Sequence, residues 1–464
     1  MTQLNLFPFL PKPNRVANKL DWNDRAFHDW YRFVLSFPPH LVREYIGKFG
    51  LRAGQKILDP FCGTGTTLVE AKRLGIESIG FEGNPMAHFA SHVKVDWNVT
   101  PDALIKHATL AAESALEVLE AHGANPLRIL PDEAFKLLLK DSISPLPLHK
   151  SLVLLAQLRS LKDDRFFRHE LLALAKTLVF SASNLHFGPE VGVTRTKQKD
   201  APVIEGWLAE VKMIANDVRP AENTITPQAL VHLADSRQPG HFLQPNSIDA
   251  VFTSPPYPNE KDYTRTTRLE SVVLGFINNK VELRAFKKGL VRSNTRNVYK
   301  GDNDDGWVSN HEEIQSLAEA IEKRRIELGK TSGFERLYSK VTRLYFGGMA
   351  YHLAELRPFL KPGAYLGYVV GDQASYLQIM IRTGRLLADI AQSLGYELVG
   401  IDLFRTRLAT ATRQQMRSEK RWWCFAGLGT GPNREGDRWP EGKTGIHRSS
   451  KRFSHATIRR APRK

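Results

Sequence analysis

Residues 253–257 read Thr-Ser-Pro-Pro-Tyr and close an apolar run, SIDAVFTSPPY (247–257). A run of that length reads as a buried strand. The motif therefore falls at a strand's carboxyl end, where open α/β sheets place their ligands. Pro255 and Pro256 fix the backbone and donate no hydrogen bonds, so their carbonyls are available as outward acceptors. The Ser254 hydroxyl and the Pro255 carbonyl together can accept from an exocyclic amino group. Tyr257 can stack on the face of a planar base. The alternative for these residues is a rigid strand-end turn with a core tyrosine.

A second cluster lies well before it. Asp59, Pro60, Phe61, Cys62, Gly63, Thr64, Gly65 and Thr66 follow the short apolar run KILDPF (56–61) and precede an amphipathic stretch, LVEAKRLG. Glycines at such a turn let a ligand approach the backbone closely. No Gly-Lys-Ser/Thr follows, so the turn is not a phosphate loop, and Leu68 stands where a dinucleotide fingerprint needs its third glycine. Another adenosine-containing cofactor fits better. Glu82 closes the next apolar run, SIGFEG (78–83), where a carboxylate can accept from both ribose hydroxyls. The alternative is a tight turn beside a solvated strand end.

The elements that must hold these residues follow from periodicity. Strand, glycine turn, helix and strand over 56–83 make one βαβ unit and hence a parallel sheet. Helical spacing covers 24–50, broken at Pro38 and Pro39, and most of 101–186 and 204–218. The segment 187–203 reads as an exposed basic loop. Strand patterning resumes at ALVHLAD (229–235) and SIDAVFTSPPY, and a charged, irregular region covers 258–335. A long helix spans 339–360. Strand 364–371, helix 381–394 and strands 397–404 and 421–428 follow. The expected organisation is an N-terminal arm (1–24), a first sheet portion (25–97), a helical insert (98–228), a second sheet portion (229–428) carrying the insert 258–335, and a basic, disordered tail (429–464).

Composition narrows the function. Lys and Arg number 65 against 49 Asp and Glu, a net charge of +16, which favours a polyanionic partner. Two cysteines exclude a disulfide scaffold and disfavour a zinc–thiolate cluster. His88, His92 and His232 have no metal-ligand company, so no metal site is expected. No apolar run reaches membrane-spanning length, and the N-terminus lacks a secretory pattern. The expected location is the cytoplasm, in association with the nucleoid.

DPFCGTGTT and TSPPY together resemble the S-adenosylmethionine-dependent amino-methyltransferases of DNA, which methylate cytosine N4 or adenine N6. The resemblance covers most of 25–428 and implies a Rossmann-like α/β fold with the seven-stranded class I methyltransferase sheet, here with large, mainly helical insertions. It makes Asp59 to Thr66 the S-adenosyl-L-methionine loop, Glu82 the ribose acceptor and Asp235 the neighbour of the adenine ring. SFPPHLV (36–42) is similar to the segment lining the cofactor's methionine end. Ser254, Pro255, Pro256 and Tyr257 become the catalytic motif, acting on a base flipped from double-stranded DNA. Serine at the motif's first variable position is more typical of cytosine-N4 enzymes and aspartate of adenine-N6 enzymes, so Ser254 favours N4. An RNA base is the other substrate open to this fold. Cytosine-C5 chemistry needs a thiolate after a proline, and neither Cys62 nor Cys424 follows one.

Two features depart from the family. The cofactor loop precedes TSPPY, the reverse of many Ser-Pro-Pro-Tyr enzymes. Target recognition must come from the inserts, because little chain follows the last strand. Arg195, Lys197 and Lys199 in one insert, with Lys261, Arg265, Arg268, Arg292 and Arg296 in the other, are the candidates for phosphate contact. Gly371 and Asp372 are candidates for the base pocket. A cognate restriction endonuclease is a further expected partner, and a monomer is the default state.

Overall fold

The computed structural model describes residues 20–32, 36–122, 126–188, 190–259, 261–408, 419–425 and 458–460. Nine strands form one sheet: β1 (Lys56–Asp59), β2 (Glu77–Glu82), β3 (Ala229–Leu233), β4 (Ile248–Thr253), β5 (Leu360–Gly371), β6 (Tyr396–Leu398), β7 (Ile401–Leu408), β8 (Glu419–Phe425) and β9 (Ile458–Arg460). Their order is β3-β2-β1-β4-β5-β8-β7, with β9 pairing β5 and β6. The first five are parallel to one another, while β8 runs antiparallel to β5 and β7. The fold is therefore Rossmann-like α/β, as expected, on a sheet of nine strands. The chain steps outward from β1 to β3 and then returns to the other side of β1 with β4. That reversal opens a crevice at the carboxyl ends of β1 and β4.

Alternation along the strands builds two faces. Ile57, Ala250 and Phe252 pack with helix α1 (Pro39–Lys48), through Leu41, Val42, Tyr45 and Ile46. Leu58, Phe81 and Val251 join a second cluster. The glycine turn leads into α2 (Thr66–Arg73), and Pro85 opens α3 (Pro85–Lys94), capped by Asn84. Four long helices of the insert follow: α4 (Pro101–His122), α5 (Pro145–Ser160), α6 (Phe167–Thr177) and α7 (Val203–Val218). They share one apolar cluster with Leu68, Val69 and Met86 that includes the fully buried Trp207. Helices α8 (Tyr338–Leu356) and α9 (Thr383–Ser393) pack with the second cluster.

Several expectations are corrected. The helical reading of 24–50 holds only from Pro39; residues 22–30 form two short 3-10 turns instead, with Phe27 at φ 64° between them. Asp24, at the start of the stretch read as helical, is buried and paired with Arg43 at 2.8 Å. The loop at 187–203 begins as a hairpin, Leu185–Phe187 with Val191–Val193. Strand 397–404 is divided between β6 and β7. In the tail, Ile458–Arg460 pairs with residues 365–366 of β5 and with β6, because β8 covers only residues 368–371 of β5 and an open edge accepts a strand. The rest of the tail and residues 1–19 of the arm lie outside the described residues.

Candidate active site

One cleft, about 1130 Å³ including its open mouth, sits at the reversal and gathers most of the residues singled out from sequence. Pro60, Phe61, Cys62, Gly63, Thr64, Thr66, Glu82, Asp235 and all of Ser254 to Tyr257 line it. So do Ser36 and Phe37, ahead of the first strand. Asp59 and Gly65 lie beneath the surface instead. Gly371 and Asp372 are not among the lining residues.

Asp59 is fully buried and ties the strand tips together: the Thr253 hydroxyl donates to its Oδ1 at 2.6 Å and the Phe61 amide at 3.2 Å. Burial raises its pKa to about 6. Gly65 begins α2 at φ 82°, and a Cβ there would lie 2.6 Å from Ser91 Oγ. Glycine is required for both reasons. Gly63 has φ 54°, yet a Cβ would meet no protein atom within 4 Å, so its open side belongs to the cleft. Cys62 is buried against Ser91, and burial pushes its thiol well up, which makes it an inert packing residue.

Glu82 joins the two turns. Its Oε2 accepts from the Gly63 amide at 2.8 Å and its Oε1 from the Asn84 amide at 2.7 Å. Burial outweighs those bonds and raises its pKa to about 7. Asp235 lines the cleft, but its carboxylate is held by Arg237, whose Nε reaches Oδ1 at 2.9 Å and whose Nη2 reaches Oδ2 at 2.6 Å. Arg237 also bridges to Asp304 of the second insert. This Asp-Arg-Asp chain was invisible in the sequence, because its third member lies far along the chain. Next to it, buried His352 faces the Ser236 carbonyl at 2.8 Å and the Tyr368 hydroxyl at 2.7 Å, and burial lowers its pKa to about 4.

At the motif, Ser254 Oγ donates to the Val369 carbonyl at 2.9 Å and lies 3.2 Å from the Tyr257 hydroxyl. With its proton committed to Val369, Ser254 accepts from the Tyr257 hydroxyl in the longer of the two contacts and keeps one lone pair for a further donor. The second insert closes one wall with Tyr263, Leu290, Ser293 and Asn297.

The phosphate candidates divide. Arg268 bonds Thr264 and the Leu137 carbonyl, tying the two inserts together, and Arg292 is 5% exposed and paired with Asp302. Both are structural, contrary to expectation. Arg195, Lys199 and Arg296 are exposed. Arg265 lies 3.8 Å from Glu190, which sets the hairpin beside the second insert. His88 faces the Val231 carbonyl and His232 stacks on Phe242. No helix of the described residues is long and apolar enough to cross a membrane.

A parallel sheet with a glycine turn after β1, an acidic tip on β2 and the cleft at the reversal defines a Rossmann-like methyltransferase class. The family described as DNA methylase, of N6/N4 type, matches residues 11–90. Over 432 residues the chain is 28% identical to the Type II methyltransferase M.BsoBI of Geobacillus stearothermophilus, covering 86% of this chain and 83% of the relative. It is 23% identical over 420 residues to the Type II methyltransferase M.AvaI of Nostoc sp., covering 83% and 82%. A shorter similarity, 25% over 133 residues, reaches a tRNA (guanine(10)-N2)-dimethyltransferase of Methanothermobacter thermautotrophicus, covering 29% and 32%. The family match and the Type II relatives together support an S-adenosylmethionine-dependent amino-methyltransferase of DNA, to which this chain is similar.

Proposed function

We propose that the protein transfers a methyl group from S-adenosyl-L-methionine to the exocyclic N4 of a cytosine flipped out of double-stranded DNA. The observation that carries this is the Ser254–Val369 hydrogen bond, which makes the Ser254 oxygen an acceptor at the strand tip facing the cleft. An acceptor there, beside the Pro255 carbonyl, suits an amino group.

The residues fit the cofactor. Open space above Gly63 leaves room for close approach, and the Glu82 carboxylate at the tip of β2, lining the cleft, offers acceptors of the kind ribose hydroxyls need. The bound cofactor supplies an electrophilic methyl group. Ser254 Oγ and the Pro255 carbonyl hold the amino hydrogens, turn the nitrogen lone pair toward that methyl and stabilise the positive charge developing on nitrogen. Tyr257 stacks on the base. The methylated nitrogen then sheds one proton to solvent. The exposed Arg195, Lys199 and Arg296 neutralise phosphates, and a cognate restriction endonuclease is the expected companion of a type II enzyme.

Nucleoside mass spectrometry of DNA from cells expressing the protein, with Ser254→Ala as control, tests the reading. N4-methylcytosine found only with the active protein supports it. N6-methyladenine would overturn the base assignment alone. Unmodified DNA with a modified RNA base would move the substrate to RNA.

A further inference from the structure

Three asparagines of the second insert are buried, and they differ in how their amides are used. Asn259 accepts from the Lys261 amide at 2.9 Å and points its Nδ2 at the Tyr263 hydroxyl. Asn294 accepts from the Arg296 amide at 3.1 Å and donates to the Lys261 carbonyl at 3.1 Å. Tyr376 fixes the same loop by donating to the Ser293 carbonyl at 3.1 Å. Asn297 is the exception. It lines the cleft, is 2% exposed, and its side-chain amide bonds no described residue; its Oδ1 is sealed from solvent with no partner. A buried amide left without partners is rare in a folded protein, and in a cleft wall it asks for a ligand.

The rest of the site limits what that ligand group is. Ser254 Oγ and the Pro255 carbonyl accept the amino hydrogens. On the same edge of cytosine and of adenine, the next atom is a ring nitrogen with a lone pair, which needs a donor. We propose that Asn297 reads the flipped base by donating an Nδ2 hydrogen to that ring nitrogen, N3 of cytosine or N1 of adenine. Oδ1 is the sealed end and no described residue bonds the amide nitrogen, so Nδ2 is the end left to face the cleft. Thymine and guanine carry N–H at the corresponding position and are refused. The inference rests on the methyltransferase reading above and holds for either target base.

The test uses the full chain and a duplex carrying its own methylation site, located by sequencing modified DNA. A second duplex replaces the target base by its deaza analogue, 3-deazacytosine or 1-deazaadenine, which puts C–H in place of the ring acceptor while keeping the amino group. Single-turnover methyl transfer is measured for wild type, Asn297→Ala and the volume-keeping Asn297→Leu, with cofactor Kd alongside. The expected result is a loss of about 10-fold or more for each variant on the natural duplex, unchanged cofactor Kd, and equal rates for wild type and variants on the deaza duplex. Equal losses on both duplexes would make Asn297 structural and overturn the proposal. Wild-type indifference to the deaza change would overturn it without any variant. A wild type that methylates no DNA base would remove the underlying reading instead, and with it this one.

Discussion

Ser254 donates its hydroxyl hydrogen to the Val369 carbonyl at 2.9 Å, across the seam between β4 and β5. One strand thereby sets the polarity of a group on the next. Replacing Ser254 by Ala removes the acceptor while leaving the cofactor loop intact. Its kcat is expected to fall by about 100-fold or more, as when one charge-stabilising group is lost from a preorganised site. Cofactor Kd, read by calorimetry, stays the same. Tyr257→Phe keeps the ring and loses the donor to Ser254, so its loss is smaller than that of Tyr257→Ala in the same single-turnover assay.

Glu82 links the glycine turn to the tip of β2, and if it accepts from the cofactor's ribose as proposed, its raised pKa of about 7 predicts pH-dependent cofactor binding. The carboxylate is the form that accepts from hydroxyls. Affinity is therefore expected to be full above pH 7 and to weaken as pH falls below it, by up to about tenfold per unit. Glu82→Gln binds more weakly throughout and flattens that profile. Calorimetric Kd values between pH 6 and 8.5 check both.

Glu270, fully buried against the Tyr31 hydroxyl, is raised by burial to about 7. The folded state holds this proton more tightly than the unfolded chain, so stability is complete below the ordinary carboxyl range and declines as pH rises toward 7. Glu270→Gln cannot ionise. It is expected to be more stable than wild type at pH 8, by about 3 kcal/mol at most, with the difference closing near pH 4.5. Urea denaturation at the two pH values measures it.

Arg237 stands between Asp235 and Asp304 with a 9% exposed side chain. Arg237→Ala leaves two largely buried carboxylates uncompensated and should cost about 3 kcal/mol, with weaker cofactor binding once Asp235 is released. Gly347 supports the same junction from α8, where a Cβ would lie 1.9 Å from the Asp304 carbonyl oxygen. Gly347→Ala is expected to destabilise by about 2 kcal/mol, read as a lowered urea midpoint.

Arg195 and Lys199 are exposed beyond the hairpin, whereas Arg292 is spent on Asp302. Replacing Arg195 and Lys199 together by Ala should weaken DNA binding and reduce the slope of log K against log salt by about 1.8. Arg292→Met should leave that slope unchanged and lower the melting temperature. Fluorescence anisotropy on labelled duplex across a salt series separates them.

The sequence by itself determined the local chemistry: the glycine turn after an apolar strand, Glu82 at the tip of β2, and Ser-Pro-Pro-Tyr at the tip of β4. These were legible because each is a short-range signal, a few residues whose types and φ requirements allow little else. The five parallel strands were legible for the same reason, through apolar runs bounded by turns. Register and pairing over long separations were not. Only the tertiary structure decided that Ser254 gives its proton to Val369, that Arg237 is spanned by Asp235 and Asp304, that Asp59 is a buried tie rather than a lining residue, and that Arg268 and Arg292 serve the fold. Each depends on which side chain a packed neighbour brings within about 3 Å, the reach of a hydrogen bond. Asn297 shows the same limit: nothing in its neighbours along the chain separates it from Asn294, and only packing leaves one amide bonded and the other unpaired in the cleft wall.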